Sequence, residues 1–151
     1  MSVNHHKFIR ESFALAKRAV QKGNHPFGAL LVKDEQILLS AENSVNSEQD
    51  HTRHAELNLV SRASQQLDPA ILAKSVLYTS TEPCAMCCGA IYWAGISKVV
   101  YGCSAEALGK IAGDDFLIPC REILGKGARE IEVIGPVLEQ EGLNIHQSFW
   151  I

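Results

Sequence analysis

Residues 75–104 read SVLYTSTEPCAMCCGAIYWAGISKVVYGCS, and their reading decides the fold. The segments "SVLYTST" and "KVVYGCS" carry the β-branched and aromatic residues of short strands. Between them "CAMCCGAIYWAG" has neither proline nor charge and stops at Gly95, the residue type that commonly ends a helix in the left-handed conformation. The order is therefore strand, helix, strand.

Toward the C-terminus, "PCREILGKG" reads as a further short helix and "REIEVIGPVL" as a last strand. A connection of roughly 25 residues containing a helix suits a crossover between parallel strands better than a hairpin. The tail "EGLNIHQSFWI" has an apolar tip and no assigned element. Toward the N-terminus, Phe8, Ile9, Phe13, Ala16, Ala19 and Val20 share one helical face, and Gly23 with Asn24 ends that helix. "FGALLVK" and "QILLSAEN" then form a hairpin around Asp34 and Glu35. Polar "SVNSEQDHT" is a loop, and from Thr52 "TRHAELNLVSRASQQ" regains helical spacing until Asp68 and Pro69 close it. No repeat, low-complexity segment or linker interrupts the chain. The expectation is an α/β protein: one three-layer α/β/α domain over residues 1–151, whose five-stranded mixed sheet has one antiparallel hairpin and strands 4 and 5 parallel.

Composition narrows the class. A chain of 151 residues, 46% hydrophobic, can bury one real core. Five cysteines is an odd number, and no basic-then-apolar leader precedes them, so a reducing, cytoplasmic setting is expected. No apolar run approaches the ~20 residues that cross a bilayer. The formal charge of −3, with 14 scattered basic residues, counts against nucleic acid as the main partner.

Cys84 and Cys87 stand on the same side of a first helical turn, where unpaired backbone N–H groups favour thiolate. They can share one metal. His54, at the start of the second long helix, is the best third donor, and three protein ligands leave zinc a fourth position for water. Zinc beside two thiolates is already neutral, so its water is less acidified and a positioned base should help; Glu56 fits that role. Together "HAE" at 54–56 and "PCAMC" at 83–87 make the H-x-E, P-C-x-x-C signature of zinc deaminases that act on nucleobases. Residues two apart do not face one way on a regular helix, so spacing alone does not bring Glu56 to the metal water. A thioredoxin-like thiol pair would leave His54 and Glu56 unexplained, whereas a closed structural site would recruit Cys88, Cys103, Cys120 or His51 as a fourth ligand.

With these residues assembled, the chain resembles the cytidine and deoxycytidylate deaminase superfamily over nearly its whole length. "HPFGALLVKDEQILLSAEN" is similar to that family's first strands, and "AIYWA" resembles bacterial guanine deaminase in particular. The resemblance implies that Asn43, the Ala55 backbone and the Glu82 carbonyl orient the base, that Phe27 walls the pocket, and that Asp114 and Asp115 in "GDDF" face a purine. It also implies one zinc per subunit and a homodimer. Trp93 and Tyr92, after the metal helix, are candidates for the pocket or the dimer surface, with core packing the first reading for both. His25 is expected to border the site, Cys88 to be a packed core thiol, and Phe149 and Trp150 to cap the core rather than form a lid. The expected activity is hydrolytic deamination of a small amino-substituted nucleobase, guanine first. Cytosine or a modified pyrimidine, a tRNA adenosine and a zinc-stabilised binding module without turnover are the alternatives.

Overall fold

The computed structural model describes residues 4–114 and 116–150. Strands β1 (Gly28–Lys33) and β2 (Gln36–Glu42) form the expected antiparallel hairpin. Its turn residues Asp34 and Glu35 both have positive φ (51° and 61°), the geometry whose twist matches that of the flanking strands. Strand β3 (Val76–Thr81) pairs antiparallel with β1. Parallel pairing then joins β3 to β4 (Lys98–Cys103) and β4 to β5 (Glu132–Ile134). The order is β2-β1-β3-β4-β5, a five-stranded mixed sheet with β4 and β5 parallel, as expected.

Side chains alternate along each strand, so the central strands feed two cores. On one face Leu31, Leu77, Val99 and Tyr101 pack against α3 (Ala55–Gln66) and α5 (Ala85–Ala94), together with Leu72 of α4 (Pro69–Ala73) and Leu124 of α7 (Cys120–Leu124). On the other, Leu30, Val32, Tyr78 and Val100 meet Phe8, Ile9 and Phe13 of α1 (His5–Gln21). Three layers result. α1 lies so close to β1 that a Cβ on Gly28 would stand 2.6 Å from the Ser12 carbonyl oxygen and 2.7 Å from the Ala16 nitrogen, which is why this strand begins with glycine.

Several boundaries differ from the sequence reading, each for a local reason. The second long helix begins at Ala55 rather than Thr52, because His54 is extended and serves as its N-cap. The loop after β2 contains a one-turn helix, α2 (Val45–Glu48). Pro69 opens α4 instead of closing a region, since its missing N–H costs nothing at a first helical position. Ser104 accepts from the Ala107 N–H and starts α6 (Ala105–Ala112), which had not been foreseen. Strand β5 is three residues long, and the unassigned tail is a helix, α8 (Glu139–Trp150).

Candidate metal centre and active site

The N-termini of α3 and α5 converge. His54 and Cys84 are their N-cap residues, both extended, and Cys87 lies in the first turn of α5. The His54 Nδ1 is 3.5 Å from the Cys84 Sγ and 3.7 Å from the Cys87 Sγ. Tetrahedral zinc, with Zn–N near 2.0–2.1 Å and Zn–S near 2.3 Å, separates a nitrogen and a sulfur by about 3.5 Å, so the donor set fits. Electrostatics agree: hydrogen bonding from the Cys87 thiol, and then from His54, holds Cys84 down to about 4, while Cys87 is pushed up by the same bond and by burial. The arrangement favours the thiolate at Cys84, and metal binding would release the proton on Cys87.

Among the described residues the cluster has three donors and no fourth. Cys88 points away toward the Pro83 carbonyl (3.5 Å), Cys103 toward the Glu139 carbonyl (3.6 Å), and His51 is exposed. That is the pattern of an open, catalytic centre rather than a closed structural one.

Because His54 lies outside the helix, the spacing objection to Glu56 lapses. Glu56 is the second residue of α3, 5% exposed, and lines a cavity of about 130 Å³ together with His54 and Cys84. Burial, and next the charge of Cys84, push its carboxyl up to about 7. Phe27, Asn43, Glu82 and Asp114 line the same cavity. The Asn43 Oδ1 accepts from the Val45 N–H (3.1 Å), so the amide group has its donor end for the cavity. Ala55, the first residue of α3, is fully buried beside the cavity without lining it. Trp93 does not join the site: it is 84% exposed on α5, so its expected role in the packed core or the pocket is corrected. Asp115 lies outside the described residues.

Residues 2–103 match the family profile described as the cytidine and deoxycytidylate deaminase zinc-binding region. The chain belongs to this family. A Schizosaccharomyces pombe protein named "Probable cytosine deaminase" is 38% identical over 152 residues, covering 95% of this chain and 90% of that protein. Guanine deaminase of Bacillus subtilis is 38% identical over 117 residues, 77% of this chain and 75% of that one. tRNA-specific adenosine deaminases align at comparable identity. Among solved structures, a guanine deaminase from Nitrosomonas europaea superposes with a TM-score of 0.83 at 22% identity, covering 98% of this chain and 85% of its own, which shows the fold.

As a member of the family this deaminase is a zinc-dependent hydrolase acting on C–N bonds of cyclic amidines. Sequence reasoning had not singled out several residues of its cavity. Thr81 lines it from the end of β3, and Leu108 of α6 with Phe116, Leu117 and Ile118 forms an apolar outer wall. Glu82 holds that wall at both ends: its carboxylate accepts from the Ala105 N–H (2.9 Å) at the start of α6 and the Cys120 N–H (2.7 Å) at the start of α7. The usable signal was the capping Ser104 ahead of "AEALGKIAG". His25 also lines the cavity, with Phe149 and Trp150 against its ring, so the tail reaches the pocket's edge instead of only capping the core.

Proposed function

We propose that the deaminase acts on a small free nucleobase, with guanine the first candidate, as one catalytic domain over residues 1–151. The observation that carries this reading is the cavity itself: small, walled on its outer side by Leu108, Phe116, Leu117 and Ile118, with no lysine or arginine among the described residues that line it. A nucleotide or tRNA substrate would bring phosphates, which are bound by basic groups. Cytosine is the second reading, favoured by the relative that aligns along 95% of the chain.

Zinc held by His54, Cys84 and Cys87 would supply a water of lowered pKa at its open position. Glu56 would take one proton of the attacking water and deliver it to the ring nitrogen beside the amino-bearing carbon, which makes that carbon electrophilic. It would then take the second proton as the water oxygen becomes the product carbonyl and pass it to the departing amine, so that ammonia leaves. Asn43 donates to a carbonyl of the base, the Ala55 N–H and Glu82 carbonyl complete its orientation, and Phe27 covers one face. Asp114 would meet a ring N–H, a contact that suits a purine.

The test is ammonia release by zinc-loaded protein from guanine, cytosine, isocytosine, adenine, their nucleosides and tRNA. Release from one free base, with nucleosides and tRNA inert, is expected. Release from tRNA alone would overturn the reading.

A homodimer belongs to the same proposal. α5 has no charged residue, and its outer face exposes Met86 and Trp93, although a helix apolar on all sides is normally covered on all sides. A second copy is the occupant we infer. Trp93→Lys is expected to shift sedimentation from dimer toward monomer at micromolar concentration; an unchanged dimer would place the interface elsewhere. Among the described residues no helix is long and apolar enough to cross a membrane, and five free cysteines suit the reducing cytoplasm.

A further inference from the structure

His146 of α8 is 2% exposed, and both of its ring nitrogens are engaged. The Trp150 indole Nε1 lies 3.1 Å from the His146 Nδ1, and the His146 Nε2 lies 2.8 Å from the Thr81 Oγ1. An indole N–H can only donate, so Nδ1 must accept. The single proton of the neutral ring therefore sits on Nε2 and is donated to Thr81. Burial supports the neutral form, drawing His146 down to about 4. Trp150, His146 and Thr81 thus form a hydrogen-bonded series that runs from α8 to the end of β3. Cys103, the register partner of Thr81 on β4, donates to the Glu139 carbonyl of α8. The His146 ring also packs on Phe27, with centroids 5.3 Å apart. Thr81 and Phe27 both line the cavity.

We propose that His146 is a positioning residue of the pocket: locked in its Nε2–H tautomer by Trp150, it fixes the Thr81 hydroxyl and the Phe27 ring and so sets how the base is held. The closing tail is therefore part of the pocket of its own chain, and α8 acts on binding rather than on proton transfer. Among the described residues, the hydrogen-bond partners of His146 are Thr81 and Trp150 rather than Glu56 or the metal donors. This second half rests on the nucleobase reading given above, while the tautomer and the hydrogen-bonded series stand without it.

The experiment has two arms on the full-length, zinc-loaded protein. By NMR, the Trp150 indole N–H is expected to resist solvent exchange and to lose that protection in His146→Phe, and the His146 nitrogen shifts should show hydrogen on Nε2 alone. A rapidly exchanging Trp150, or hydrogen on Nδ1, would overturn the proposal. The kinetic arm uses the base that the wild-type enzyme turns over. His146→Phe, which keeps the ring but neither hydrogen bond, should raise KM about tenfold or more with kcat within about threefold and zinc content unchanged. His146→Gln, which keeps a donor for Thr81 and an acceptor for Trp150, should restore most of that loss. A fall in kcat at unchanged KM, or Gln no better than Phe, would mean that His146 does not set base binding. If the wild-type protein turns over none of the bases, the nucleobase reading falls, and the NMR arm alone decides the tautomer lock.

Discussion

Glu56→Gln is expected to lower turnover by about 10²–10⁴-fold while zinc stays bound at one ion per chain, a loss of about 3–5 kcal/mol of transition-state stabilisation. The geometry isolates the cause. Glu56 is not among the metal donors, so the substitution leaves His54, Cys84 and Cys87 in place. The amide has the same size in a buried position and cannot take or return a proton. Loss of fold is not the expected route either, since an uncharged group is easier to bury than a carboxylate. The check is steady-state kinetics beside metal analysis and a melting curve on the same preparation. Near-normal turnover with zinc bound would remove Glu56 from the mechanism, and lost zinc would make it a ligand or its support.

How far the site was legible depends on whether the signal was local. Cys84 and Cys87 occupy one helical turn, so their partnership could be read directly, and His54 followed from donor chemistry. The reach of Glu56 could not be read, because it depends on His54 being an extended N-cap, a backbone fact the spacing does not reveal. Trp93 was misplaced although its phase was readable. Cys87, Cys88 and Ile91 are buried, which turns Met86 and Trp93 to the opposite face of α5. The mixed sheet, its hairpin and the parallel pairing of β4 with β5 were legible because alternation and crossover length are strong signals. α8 was not, since its sequence is polar and its support is tertiary: His146 on Thr81, and Gly142 so close to Phe13 and Cys103 that no side chain fits. The outer wall at 116–118 and its fastening by Glu82 were equally invisible, because both hydrogen bonds cross more than 20 residues.

The largest effect on the metal is expected from Cys84→Ser and Cys87→Ala, each of which should empty the centre and abolish turnover, while Cys88→Ser should retain one zinc per chain and most activity. These neighbours separate the two kinds of zinc site. Cys84 and Cys87 face the His54 Nδ1 within 3.7 Å, whereas Cys88 turns its sulfur to the Pro83 carbonyl, a bond that a serine hydroxyl can also make. A serine at 84 or an alanine at 87 leaves two strong donors where zinc requires three or four, and the retained thiol regains its proton. Cys88→Ser replaces a buried sulfur with a more polar group, for which a loss of about 1 kcal/mol in stability is expected. Metal analysis after dialysis, followed by zinc titration with activity as readout, makes the comparison. If Cys88→Ser emptied the centre as thoroughly as the others, Cys88 would be a fourth ligand, the site would be closed, and zinc would serve the fold instead of the reaction.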